Sequence, residues 1–167
     1  MDSHESPSLR PYRPEDLAAV LEVFYRAVHE LCRGEYTATQ RAAWAPAAPD
    51  QVRWASSLGG HRAIVAERDG KTAGFSDWYA QDGVGQLDRL YVHPAHIRRG
   101  VASALLGEME RQAAAADLKR LEVAVSLTAR PFFLRRGYVP VREQTVVRQG
   151  VELRHTVMEK WVEPHSR

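Results

Sequence analysis

Arg98, Arg99 and Gly100 stand directly ahead of Val101-Ala102-Ser103-Ala104, small residues that open a helical pattern. The first turn of a helix carries N–H groups without intrahelical partners, and the helix dipole adds partial positive charge. Such an end receives phosphate, and the two arginines raise the local potential further. This spacing points to a site for a phosphorylated ligand. Just upstream, Asp88 is a carboxylate able to take a proton from an ammonium, and His93 is an imidazole that titrates near neutral pH. Glu122 is a second strand-borne carboxylate. The plain readings stay open beside these: Asp88 as half of an ion pair, His93 as a strand-end cap before Pro94, and His29 as a core or surface residue. No basic or His partner close in sequence argues strongly for Cys32 as a nucleophile, and it reads as a buried or incidental thiol. No His, Cys and Asp spacing suggests a metal site.

The elements that would position these groups follow from periodicity. Ser8 to Arg13 reads as a short strand. Pro14-Glu15-Asp16 opens a helix whose apolar residues Leu17, Val20, Leu21, Phe24, Val28 and Leu31 recur at helical spacing. Thr37 and Asp50 are N-caps for two short helices, Tyr36 to Ala43 and on to Leu58, where Gly59-Gly60 breaks the pattern. Arg62 to Arg68 and Lys71 to Ala80 form a hairpin about Asp69-Gly70. A turn at Gln81 to Gly85 leads to the strand Gln86 to Val92. In that strand, alternation sends Asp88 and Arg89 to opposite faces. A helix from about Arg99 to Ala116 separates it from the strand Arg120 to Val125, so the two can lie parallel through a right-handed crossover. Thr128 to Arg136 is a short helix. Tyr138 to Arg148 and Val151 to Trp161 are the last strands. The expected class is α/β, a mixed and mostly antiparallel sheet with helices on both faces.

Bulk properties bound the reading. The chain has 167 residues and a net charge of +2. That length favours one domain, here 8–162, between a loose polar start at 1–7 and a polar tail at 163–167. The small charge gives little support to a nucleic acid or membrane partner. A single cysteine forbids an internal disulfide and fits a cytoplasmic setting. The start MDSHESPSLR lacks the apolar core of a signal peptide. No apolar run approaches the ~20 residues that span a bilayer. The last strands are available to pair two copies into a homodimer.

The order of elements, with LDRLYVHPAHIRRGVASALL and AVSLTARPFFLRRGY, resembles the GNAT superfamily of acetyl-CoA-dependent N-acetyltransferases over about Leu9 to Trp161. The resemblance implies a sheet with one parallel strand pair splayed to hold acetyl-CoA. It implies pyrophosphate binding at Arg98, Arg99, Gly100, Val101, Ala102 and Ser103, with Ile97 at a position where the family usually has Gln or Arg. It implies that the backbones of Leu90, Tyr91 and Val92 pair with the pantetheine arm, one N–H polarising the thioester carbonyl. Ser126 falls where the family often has Asn. Phe132 would flank the arm, and Arg130 and Arg135 could reach coenzyme phosphate or simply face solvent. Phe133 occupies the position of the Tyr that commonly protonates the leaving thiolate, which leaves Tyr138 or an ordered water for that work. Tyr36 and Trp44 lie where the family builds its acceptor pocket. The implied reaction is acetyl transfer to a primary amine, of a small molecule or a peptide, by direct attack. A non-catalytic acyl-CoA sensor on the same fold is the alternative.

Overall fold

Three hairpin turns set the frame. In the computed structural model, which describes residues 6–162, Asp69-Gly70, Asp82-Gly83 and Gln149-Gly150 have positive φ at both residues. That is the turn geometry whose twist matches paired strands. The turns join β2 (Arg62–Arg68) to β3 (Lys71–Gln81), β3 to β4 (Val84–Val92), and β6 (Val139–Arg148) to β7 (Val151–Trp161). The β3–β4 connection is tighter than the expected Gln81 to Gly85, because Asp82-Gly83 alone makes the turn and both strands extend to meet it. With β1 (Ser8–Pro11) and β5 (Arg120–Ser126) the strands form one seven-stranded sheet, ordered β1-β2-β3-β4-β5-β7-β6. Among the described residues only β4 and β5 pair in parallel. Residues 1–5 and 163–167, most of the expected loose start and the whole polar tail, lie outside the described residues.

Alternation along β2 sends Val65 to one face and Ile64 and Ala66 to the other. On the first face, α1 (Leu17–Arg26) buries Val20, Val23 and Phe24 with Val65 and Phe75. On the second, α4 (Val101–Ala115) buries Leu105, Leu106 and Met109 with Ile64, Ala66 and Leu121. Beyond Arg26 the first helix widens into a π turn, Ala27–Leu31, an irregularity common at functional sites. Thr37 caps α2 (Ala38–Trp44) by accepting from the Gln40 N–H, and the Gln40 side chain returns the bond to the Thr37 N–H. Asp50 caps α3 (Gln51–Gly60), which runs through the glycines expected to end it. The last helix, α5 (Arg130–Arg135), starts with Pro in its first turn.

The middle of β4 is irregular. Its register against β3 pairs Trp78 with Leu87 and Asp77 with Arg89, so Asp88 is an extra, unpaired residue. Such a bulge bends the strand and resets which face the following side chains take. Leu87 and Leu90 therefore both pack on the α4 side, while Tyr91 joins the α1 cluster. The expected opposition of Asp88 and Arg89 does not hold, because the bulge interrupts the alternation that predicts it. The parallel pairing with β5 also stops here. It covers Val84–Leu87 against Arg120–Val123 and goes no further, although both strands continue. Beyond Leu87 the sheet is open between β4 and β5.

Gly74 lets β3, β4 and α4 close on one another. A Cβ there would lie 2.8 Å from the Tyr91 carbonyl oxygen and 2.9 Å from Val101 Cγ1. Gly74→Ala is expected to destabilise the fold by about 1–3 kcal/mol through overpacking, read as a lower urea midpoint at unchanged slope.

Candidate active site

The opening between β4 and β5 leads into a cavity of about 440 Å³. Leu90, Tyr91 and Val92 form one wall, Ser126 and Phe132 the other, and Gly100 to Ser103 its far end. Sequence reading had grouped these residues, and the fold brings them together. Arg98 joins them at φ 61°, and Gly100 caps α4 at φ 78°. No described side chain caps this helix end, which leaves its first-turn N–H groups without a side-chain acceptor where Gly100 to Ser103 line the cavity. Ile97 also lines the cavity. Arg99 is exposed and is not among the lining residues.

Two arginines of the α5 region complete the cationic end. Arg135 lines the cavity, and so does Arg136, to which the sequence pattern assigns no role. The Arg136 guanidinium lies 3.9 Å from the Phe132 ring centroid and donates to Ser103 Oγ. The LRRGY run was the available signal. Arg130 turns away to Glu143 at 3.5 Å. Cys32 reaches the same cavity from the end of the π turn, but burial pushes its thiol up, which disfavours the nucleophilic thiolate.

A second cavity of about 600 Å³ lies on the α1 side, walled by Phe24, Trp44, Trp54 and Tyr91, with Asp88 and Arg89 along it. A narrow space shares walls with both, bordered by Trp44, Asp88, Tyr91, Ser126, Phe133 and His155. Trp44 and Tyr91 belong to all three spaces. Burial raises the Tyr91 phenol well above its ordinary value. It stays protonated at neutral pH.

Asp88 sits against a polar cluster. His61 Nδ1 lies 2.8 Å from Asp77 Oδ2 and 3.6 Å from Asp88 Oδ2. Arg89 donates to Asp77 Oδ2 at 2.9 Å and to Ser57 Oγ at 2.9 Å, and its guanidinium stacks 4.3 Å over Trp54. Asp77 is fully buried, whereas the Asp88 side chain keeps 38% of its surface. Partial desolvation and the Asp77 charge push the Asp88 carboxyl up, against the pull of Arg89 and His61. His61, Asp77 and Asp88 approach within 4.8 Å of one another, a grouping no sequence spacing reveals because its members come from β3, β4 and the residue ahead of β2. The Arg89 guanidinium already brings a positive charge to this cluster.

Three candidates are placed elsewhere. Tyr138 is buried in the α4 core, and its hydroxyl donates to Glu110 at 2.8 Å. Lys160 holds the same carboxylate at 3.0 Å. Tyr138 therefore does not reach the cavities as an acid. His93 Nδ1 accepts from the Ala95 N–H, capping the short turn Pro94–His96, and its other nitrogen lies 3.4 Å from Arg26. It lines neither the main cavity nor the second. Tyr36 is buried; its hydroxyl donates to the Arg154 carbonyl at 2.7 Å and accepts from the Leu127 N–H at 2.9 Å. It is a structural tie and not a pocket wall. Trp44, paired with it edge to face, is the wall. Phe133 is buried with its ring edge-on to Tyr138 and carries no proton to donate. His29 spends Nε2 on the Ala45 carbonyl at 2.8 Å, and Glu122 lies within the paired part of β5.

Residues 32–161 match the model of the acetyltransferase (GNAT) domain. The chain belongs to the GNAT family. It is an acyltransferase enzyme of that type. The N-acetyltransferase YafP of Escherichia coli K12 is 34% identical over 142 residues, covering 85% of this chain and 87% of that one. The crystal structure of a GCN5-related N-acetyltransferase from Rhodopseudomonas palustris aligns with a TM-score of 0.89 at 34% identity, over 97% and 99% of the two chains. The PaiA N-acetyltransferase of Thermoplasma acidophilum, solved with coenzyme A, shares the GNAT fold with a TM-score of 0.79 at 17% identity, over 95% and 100%.

The hydrogen bond to Asp77, with its charge, raises the His61 imidazole above its ordinary value. Stability from this pair is fully present below the unfolded-chain value of about 6.5 and is lost as pH rises through the raised folded value. His61→Ala is expected to cost more stability at pH 6 than at pH 9, measured by urea unfolding at both.

Proposed function

We propose that this GNAT enzyme moves the acetyl group of acetyl-CoA to a primary amine by direct attack. The reading rests on the opening where β4 parts from β5: its cavity ends at the uncapped N-terminus of α4 and shares Trp44 and Tyr91 as walls with the cavity on the α1 side. The cationic end, Arg98, Arg135, Arg136 and the first-turn N–H groups of α4, fits the pyrophosphate. The unpaired edge of β4 at Leu90 to Val92 offers backbone groups to the pantetheine amides, and an N–H there would stabilise the charge that develops on the thioester oxygen. Solved GNAT relatives carry coenzyme A in Thermoplasma PaiA and acetyl-CoA in Salmonella YncA, which supports the assignment. No described helix is long and apolar enough to cross a membrane. The single cysteine suits a cytoplasmic setting.

The aromatic cavity on the α1 side receives the acceptor. Asp88 supplies the negative charge that draws an ammonium toward the gap. Catalysis then comes chiefly from holding amine and thioester together in a dry space with a polarised carbonyl. The test is release of free thiol from acetyl-CoA with small amines. Amine-dependent release supports transfer. Tight coenzyme A binding with no release for any amine would favour the sensor reading, to which the absence of a proton donor at Phe133 points.

Two variants follow. Gly100→Glu places charge and bulk where the pyrophosphate is assigned, so coenzyme A affinity should fall at least about tenfold by calorimetry, a loss of about 1.4 kcal/mol. Unchanged affinity would mean the phosphate end lies elsewhere. Asp88→Asn should raise KM for charged amines several-fold and leave coenzyme A affinity unaltered.

A further inference from the structure

An imidazole that the sequence does not flag borders the gap where amine and thioester would meet. His155 lies on β7, opposite Ser126 of β5 and Gln144 of β6. Its ring stands edge-on to Trp44, centroids 5.7 Å apart. Its Nδ1 is buried and has no hydrogen-bond partner among the described residues. Leaving such a polar atom unpaired in a protein interior costs stability and calls for an explanation. The narrow space it borders is the one shared with Asp88, Tyr91 and Ser126.

We propose that His155 is the base that takes the proton from the incoming amine at the junction of the two cavities. This rests on the acetyl-transfer reading above. Burial, with a smaller contribution from Arg148, holds the imidazole below its ordinary value against an opposing pull from the Leu153 backbone. The ring is therefore neutral at pH 7 and able to accept. Asp88 differs: it is half open to water and engaged by His61 and Arg89, which suits capture of the ammonium. In the step itself, R–NH3⁺ gives one proton to Nδ1. The freed nitrogen lone pair forms the N–C bond to the carbonyl carbon. The C–S bond breaks and its electron pair leaves on sulfur, which takes the second proton of the new nitrogen. The imidazolium then releases its proton to water. Amine and acetyl-CoA become amide and free thiol, with one proton released.

Two nucleophiles separate this role from packing. Ethylamine arrives protonated at neutral pH, whereas hydroxylamine is largely unprotonated and needs no base before attack. His155→Asn removes the base in a side chain of similar shape. The ratio of the ethylamine rate to the hydroxylamine rate should fall about a hundredfold or more relative to the wild type, the range of a lost general base. Long-range ¹⁵N–¹H spectra of the wild type should show His155 with a bare Nδ1 and the proton on Nε2. An unchanged ratio overturns the proposal, as does a protonated Nδ1. Loss of both rates together with coenzyme A affinity also overturns it, since a structural role would do that. Wild-type protein that binds coenzyme A yet acetylates neither nucleophile would refute acetyl transfer, and this base with it; failure of the ratio alone would leave acetyl transfer standing.

Discussion

The bulge at Asp88 is the constraint on which the rest depends. One extra residue in β4, facing a regular β3, breaks the two-residue period in mid-strand. Leu87 and Leu90 can then share a face, and Tyr91 turns to the α1 side. The same irregularity coincides with the end of the parallel pairing to β5. A continuous ladder would satisfy its own backbone groups and leave no opening. A bulged one leaves a strand edge inside the molecule, where a ligand with amide groups can complete it. The cavity thus opens where one residue too many interrupts the strand, beside the side-chain cluster centred on Asp77.

That cluster divides the electrostatics of the molecule. Arg98, Arg135 and Arg136 surround the mouth at the start of α4. Asp88 lies beyond the gap on the other side. The two ends attract opposite charges, and the aromatic residues Trp44 and Tyr91 stand between them. Buried Asp77 steadies the arrangement. It is neutralised by Arg89 and His61 at 2.9 and 2.8 Å, and through them it fixes the side chains beside Asp88.

Local chemistry made much of this legible. β2 and β7 have the bounds that periodicity and turn residues gave, because Asp69-Gly70 and Gln149-Gly150 mark strand ends unambiguously. The small residues after Arg98-Arg99-Gly100 marked the start of α4. What stayed hidden is directional or long-range. A bulge has no fixed sequence signal, so the faces of Asp88 and Arg89 were misread. Tyr36 and Tyr138 are aromatics with a hydroxyl at either a wall or a core, and only the partners they found, Arg154 and Leu127 for one and Glu110 for the other, tell which. His61 and Asp77 meet across a hairpin, and His155 looks like any residue of an alternating strand.

The tie made by Tyr36 reaches further than its two hydrogen bonds. One hydroxyl fastens the segment ahead of α2 both to the end of β5, at Leu127, and to β7, at Arg154. The wall carrying Trp44 and the wall carrying Ser126 are thereby fixed to each other. A substitution at Trp44 is therefore felt at the wall that carries Ser126 as well. The freer margin is the tip of the β6–β7 hairpin, where Val147, Arg148 and Gln149 border the second cavity and project from the sheet. Changes of length and residue type there would alter what the cavity admits and leave the transfer apparatus intact. The hairpin tip is the part of the molecule where diversity among its relatives should concentrate.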